Sequence, residues 1–553
     1  MNKFIFKYWP YISLLLIVLL GLFFRIYRLD SYTVLNADEA ALGYNAWSLW
    51  LTGKDEFGHS WPLVFQSFND YKPGVYVYLS LPFIAVMGLT SWAVRMPGLV
   101  MSLVSIGMMY PLTRVILGDR YSWNRLAGLA AALLLAITPW HIHFSRGAWE
   151  TQMATSFLII GTYCLLKGLD RFHWKLAGVI LYVLAMYTYH SMRVVIPLMG
   201  LAYMVLYWSY HVKNWKRSLM LIVVGLMCLV PLGLQLTSET GLSRAAGVSI
   251  WADSGPVWRV NELRSMYAVP TPLWVKLLNN KWTAYGQKFM GNYALHFDIR
   301  YLFFEGDEIQ RNRVPEFGQL LLVTLPLLPL GMVQLFRVPV EHRWWLVVWL
   351  LVAPIPAALT FQSPHAVRSF SMVVPLTIII ALGVTSLLRW GWNQSRMLGC
   401  GVLIILLITL AWDVQRYWFN YYYLLQAWYP YATQYGVREL VAYLDEEKDD
   451  YDEIYVTTAY DQPYILSLFY SQYPPEAFQT EARLTPRDEF GYSTVAHYNK
   501  FYFRPISLDS IPVDDGKRIL VAGTPEEMES LTEVERLETI TVGQHDYFYL
   551  TEL

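Results

Sequence analysis

Apolar positions along this chain come in long unbroken blocks, and polar positions gather between them. A helix crossing the hydrocarbon core of a bilayer needs roughly 20 mostly apolar residues. Blocks of this kind fall at 9–29, 92–113, 126–140, 151–166, 176–190, 194–210, 218–236, 316–336, 344–361, 369–388 and 397–412, several borrowing flanking residues. They predict about eleven spanning helices. A further run, VYVYLSLPFIAVMGL at 75–89, is ambiguous by hydropathy. Past Trp412 the pattern changes. RYWFNYYYLLQAWYPYATQYG is aromatic and interfacial in character. After it, YDEIYVTTAY and KRILVAGTP read as short strands, PYILSLFYSQY as a helix and ETITVGQHDYFYLTEL as a closing hairpin. The pattern divides the chain into a transmembrane part over 1–413, an aromatic interfacial linker over 414–429 and a small α/β domain over 430–553.

The basic residues decide what 75–89 does, because Lys and Arg favour cytoplasmic loops. With 75–89 lying along the outer surface, five basic connections face the cytoplasm: Arg114/Arg120/Arg125, Lys167/Arg171/Lys175, Lys213/Lys216/Arg217, Arg337/Arg343 and Arg389/Arg396. With 75–89 crossing, every one of them inverts. The expectation is a multi-pass cell-membrane protein with its amino terminus inside and its carboxyl terminus outside. The segments 30–91 and 237–315 become outer loops. The second is too long for a bare connection and too aromatic for disorder, so it is expected to fold over the outer face. The first block lacks a small-residue cleavage site and is longer than a signal-peptide core, so it reads as a retained span.

Composition narrows the class. Of 553 residues, 55% are hydrophobic and only 15% charged, against roughly 25% charged in soluble domains. That excludes an ordinary soluble enzyme. A formal net charge of -1 provides no basic field for nucleic acid. The three cysteines, Cys164, Cys228 and Cys400, lie inside apolar runs and form neither metal spacing nor a disulfide framework.

With this topology, Asp38, Glu39, Asp70, Lys72, Glu150, His190, Arg193, His365 and Arg368 all reach one membrane face, and Arg146 lies in the same outer connection as Glu150. NADEAALGYNAWSLW reads as a short amphipathic helix lying on the membrane with Asp38 and Glu39 at its amino end. Structural readings stand beside the chemical ones. Asp38 at a helix start suits capping. Arg146 and Glu150 are four apart and would pair on a continuous helix. Lys72 and the boundary arginines suit snorkelling. Outer arginines are nevertheless scarce by the charge rule, and an anionic ligand at the outer leaflet would account for them. Acids beside cations at the depth of a lipid phosphate suit transfer of a sugar from a lipid-linked phosphate. A carboxylate takes the proton of the acceptor hydroxyl, and cations stabilise charge growing on the departing phosphate. A polyprenyl-lipid flippase or transporter is the competing class. Such proteins often carry paired repeats and mid-membrane charges; here the charges sit at the rim and no repeat is visible.

NADEAALGYNAW, DYKPGVYVYL, MGLTSWAVRMPGLV and TPWHIHFSRGAWE carry a family likeness. Over about residues 9–412 the chain resembles the dolichyl-phosphate-mannose protein mannosyltransferases and their bacterial relative, the aminoarabinose transferase of lipid A, both of GT-C fold. The resemblance implies juxtamembrane helices in the first outer loop and a polyprenyl-phosphate sugar donor carrying a mannose-like hexose or a pentose. It implies Asp38 as catalytic base with Glu39 its acidic neighbour, and Lys72 as a phosphate contact. Asp70, Arg146, Glu150, His190, Arg193, His365 and Arg368 are the further substrate-binding candidates. The acceptor is left open between lipid, glycan and protein. The chain departs from the family at Tyr71-Lys72-Pro73-Gly74, where the aminoarabinose transferases have Glu-Lys-Pro-Pro. It departs again at Glu150, where an Asp is usual. A divalent metal is possible in this family, and its ligands here are unknown.

Overall fold

The computed structural model describes residues 2–553 except 33, 69, 170, 238–246, 268–269, 430, 487–492, 508–509, 512–515 and 530–536. The first half of the chain forms α1 (Asn2–Ile26), α2 (Ala37–Thr52), β1 (Val64–Ser67), β2 (Asp70–Pro73), α3 (Val75–Met87), α4 (Ser91–Leu117), α5 (Asn124–Ile137), α6 (Pro139–Ser145), α7 (Glu150–Lys167), α8 (Phe172–Thr188) and α9 (Met192–Leu206). Each of the eleven apolar blocks holds helix. Five helices among the described residues are long and apolar enough to span, namely Tyr8–Ile26, Ser91–Leu117, Trp215–Gln235, Phe370–Gln394 and Arg396–Trp428. The pair α5–α6, bent by 56°, passes the same test only when taken as one; the blocks 176–190, 194–210, 316–336 and 344–361 hold shorter apolar helices, and 151–166 holds the 18-residue α7. The 13 residues of α3 reach only about 20 Å, short of a hydrocarbon core of about 30 Å. The block at 397–412 differs from its expected extent, because the helix runs on through the aromatic stretch to Trp428. No Gly or Pro interrupts 402–429, so nothing local stops it.

The chain divides into two compact units. The first holds Met1–Tyr27, Val100–Ser145 and Trp149–Tyr421. Its hub is the helix Val373–Gln394, buried over 83% of its apolar window, whereas 11% is buried for Arg396–Trp428. Helix Leu327–Arg337 crosses that hub backbone to backbone. A Cβ on Gly331 would collide with the Ile379 carbonyl, and one on Gly383 with that of Leu327. Small residues permit such close approach between membrane helices. The loop expected to fold carries helices Gly255–Ser265, Leu273–Leu278 and Lys281–Leu295, then a π turn at Arg300–Phe304.

The second unit holds Arg28–Leu99, Arg146–Ala148 and Tyr422–Leu553. Here α2 departs from the amphipathic expectation. It buries every residue from Glu39 to Ala46, packed against α3 and the helix Pro463–Tyr470. At Gly43 a Cβ would meet Val94 and Phe469, so the tight packing needs glycine there. The carboxyl-terminal residues form a seven-stranded sheet in the order β4-β5-β6-β3-β7-β9-β8. Those strands are β3 (Glu453–Val456), β4 (Arg483–Leu484), β5 (Val495–Tyr498), β6 (Phe501–Phe503), β7 (Ile519–Gly523), β8 (Glu538–Val542) and β9 (His545–Glu552). Central β3 runs parallel to both neighbours, β6 and β7, and the other pairs are antiparallel. All five residues of β7 are buried, as a strand covered on both faces requires.

Candidate active site

The start of α2 is fixed by Asn36, not by Asp38. Asn36 Oδ1 accepts from the Glu39 amide at 2.9 Å, and the Asn36 amide donates to Glu39 Oε2 at 3.2 Å. This reciprocal box satisfies two otherwise orphaned helix donors, and it relieves Asp38 of the capping role. Glu39 is buried at 3% exposure and fully engaged. Arg95 reaches it with two bonds, Nε to Oε1 at 2.8 Å and an Nη to Oε2 at 2.9 Å. The Ala148 amide adds a third at 2.8 Å. Arg95 also donates to the carbonyls of Leu29 and Val34. A forked guanidinium–carboxylate pair fixes geometry as well as charge.

One residue earlier, Asp38 has a different environment. Its carboxylate is one-third exposed and takes a 2.6 Å hydrogen bond from Lys72 Nζ. Lys72 is delivered by the β1–β2 hairpin, opposite Phe65. Its side chain is almost buried and its ammonium lies 4.8 Å from the Phe68 ring centre. Asp70 opens β2 opposite Ser67, and its side chain lies outside the described residues. Arg146 is buried at 2% exposure, its guanidinium 5.6 Å from the ring of Tyr422. Asp38, Glu39, Lys72 and Arg146 thus share the second unit.

The remaining candidates belong to the first unit. The Arg146–Glu150 helical pair expected from spacing lacks its premise, because α6 ends at Ser145 and residues 146–149 are not helical. Glu150 instead opens α7. His190 and Arg193 flank the start of α9, where the Arg193 amide donates to the His190 carbonyl and Arg193 Nε to Met186 O at 3.4 Å. His365 and Arg368 stand on a loop organised by Asp307, a fully buried acid that the sequence did not single out. Asp307 accepts from the amides of Ala366 at 2.6 Å and Ile309 at 2.9 Å, and from Asn312 Nδ2 at 3.1 Å. His365 Nδ1 lies 3.7 Å from it. Burial pushes the Asp307 carboxyl up, against those donors. Behind the loop, His296 donates from Nδ1 to Asn292 O and accepts from the His365 amide at Nε2, 3.3 Å away. Its imidazole is therefore neutral, and burial brings it down to about 4. Arg368 donates to Thr360 Oγ1 at 2.8 Å, and burial lowers its guanidinium.

Among the described residues, no three His, Cys, Asp or Glu side chains converge as metal ligands. Where a cation would meet Asp38, the Lys72 ammonium already stands. These residues do not fit a metal.

Comparison with known proteins bears on fold and family. Residues 71–234 match the family model described as dolichyl-phosphate-mannose-protein mannosyltransferase. ArnT from Cupriavidus metallidurans bound to undecaprenyl phosphate is a structural match at TM-score 0.58, with 12% identity over 97% of each chain. The same protein in the apo state matches at 0.56, with the same identity and coverage. No curated protein matches the chain.

Proposed function

We propose that this chain is a GT-C glycosyltransferase of the protein-mannosyltransferase and aminoarabinose-transferase type and moves a sugar from a polyprenyl-phosphate carrier to an acceptor hydroxyl with inversion. The observation that carries this reading is the Asp38–Lys72 pair, 2.6 Å apart on an immobilised helix start. It puts a half-open carboxylate beside a near-buried ammonium. Proton acceptance and phosphate stabilisation need those two groups side by side. The ArnT match, a protein solved with undecaprenyl phosphate, supports the donor class.

In this mechanism the arriving donor phosphate draws Lys72 to itself and frees Asp38. The acceptor hydroxyl gives its proton to Asp38 while its oxygen attacks the anomeric carbon opposite the phosphate. The bond from that carbon to the phosphate oxygen breaks, and its electron pair leaves with the polyprenyl phosphate. Lys72 compensates the charge. Glu39 aims Asp38 from its buried clamp. Asp70 and Arg146 line the donor and acceptor sites. The sugar is a mannose-like hexose or a pentose; the acceptor is a lipid, glycan or protein. The site faces outward from about eleven spans over 1–413, and the extracytoplasmic domain 430–553 selects the acceptor.

The test is transfer of label from polyprenyl-phosphate hexose or pentose by purified protein. Asp38→Asn is expected to cost roughly 10²–10⁴-fold in rate. Equal turnover of wild type and variant would remove Asp38 as the base. Lipid scrambling in liposomes with no transfer would favour the flippase.

A further inference from the structure

A second glutamate in the first outer loop has no role in that mechanism, yet its surroundings are unusual. Glu56 is fully buried, and neither carboxyl oxygen has a hydrogen-bond partner. The nearby Asn45 accepts the Glu56 backbone N–H at Oδ1 and gives one Nδ2 hydrogen to Ala41 O; its side chain opposes, without offsetting, the burial that raises the Glu56 carboxyl. One further buried hydroxyl of the same unit, Ser67 Oγ, also lacks a partner. Tyr464 packs edge-on against Phe68 at 6.0 Å, the same ring that carries the Lys72 ammonium. Burial disfavours an ionised carboxylate at such a site, so the group stays protonated instead.

The charged and titratable groups around it are few. Asp55, adjacent and buried, is held by His59 Nδ1 and by the amides of Phe57 and His59. Tyr44 and Tyr464 feel its charge, and the cation acting on it is Lys72. We propose that Glu56 is a positioning residue for Lys72: its neutral, buried carboxyl leaves the ammonium committed to Asp38 and the donor phosphate, and its ionisation draws the ammonium inward. Burial first, then the Asp55 charge, push the Glu56 carboxyl up to about 8, which sets the alkaline range in which this happens. The inference rests on the reading of Lys72 as the phosphate contact.

Two readouts test it, and only one requires transfer. The first is the ratio of transfer rate at pH 9 to that at pH 7. In the wild type it is expected to fall about tenfold, one decade per pH unit above the midpoint. In Glu56→Gln it stays within about twofold. The second is the affinity of purified protein for undecaprenyl phosphate in detergent over the same range. Wild-type affinity drops at alkaline pH, Glu56→Gln holds it, and Lys72→Met is weak and flat. Asp55→Asn, which removes the neighbouring like charge, moves the wild-type midpoint to lower pH and serves if Glu56→Gln does not fold. Identical binding profiles in wild type and Glu56→Gln overturn the proposal. Shifted binding without transfer in any variant leaves it standing and removes the transferase reading instead.

Discussion

Two buried acids, one in each unit, organise loops in opposite ways. Glu39 meets a permanent cation: Arg95 grips both carboxyl oxygens, and backbone amides complete the set. Asp307 is just as deeply buried, but its bonds come from two amides and an asparagine, with His365 standing 3.7 Å off. The first arrangement balances charge inside the fold. The second leaves the charge to dipoles, so burial pushes the Asp307 carboxyl up. A site that needs fixed geometry at every pH suits the first. A loop that presents His365 and Arg368 inherits pH sensitivity from the second.

The sharpest way to break this contrast is Arg95→Met. It strands a buried carboxylate, and removing one partner of a buried pair typically costs about 3–5 kcal/mol. The expected result is a large drop in melting temperature, with transfer lost even in the protein that remains folded. Arg95→Lys rescues only partly, since a lysine cannot make the fork. A melting temperature unchanged in Arg95→Met would show that the clamp does not hold the unit together.

Asp307→Asn is expected to cost less, about 2–3 kcal/mol, because an amide keeps one acceptor but loses the rest. Its signature is the pH profile. A carboxyl raised in the folded state binds its proton more tightly there than in the unfolded chain. Its contribution is therefore fully present below the ordinary carboxylate value and is lost as pH rises through the folded value. Melting curves of Asp307→Asn should lack that decline. If both proteins lose stability in parallel as pH rises, Asp307 is not its source.

His296 gives the smallest effect and the opposite sign. Its folded value, about 4, lies below the ordinary 6.5, so the unfolded chain takes up a proton that the folded one refuses. Stability falls as pH drops from 6.5 toward 4, by about 1–2 kcal/mol at pH 5. His296→Asn should flatten that slope in thermal melts between pH 5 and 7. A slope unchanged in the variant would assign the acid sensitivity elsewhere.

Periodicity made the helical blocks and the closing α/β pattern legible, because spans and strands each impose a local spacing. The capping of α2 was also written in the sequence: Asn36 and Glu39 stand three apart ahead of an apolar run, the signature of a reciprocal box, yet Asp38 drew attention through its charge. Arg95 was hidden by its surroundings. A lone arginine in the apolar run SWAVRMPGLV reads as snorkelling until Glu39 is seen across from it, although an ionisable residue inside such a run is by default a reason to look for a partner. Asp307 and Glu56 carried no local signal. Their importance comes from burial, which only long-range packing creates. The continuous burial of Glu39–Ala46 within α2 has the same cause: small residues at Ala40, Ala41, Gly43 and Ala46 look permissive in sequence, and in the fold they admit α3 and the Pro463–Tyr470 helix.

The forked grip of Arg95 reaches past Glu39 to the carbonyls of Leu29 and Val34. One guanidinium therefore pins both the approach to α2 and its opening turn. Asp38 inherits that rigidity from its neighbour, so little orientational entropy remains to be lost when reactants arrive.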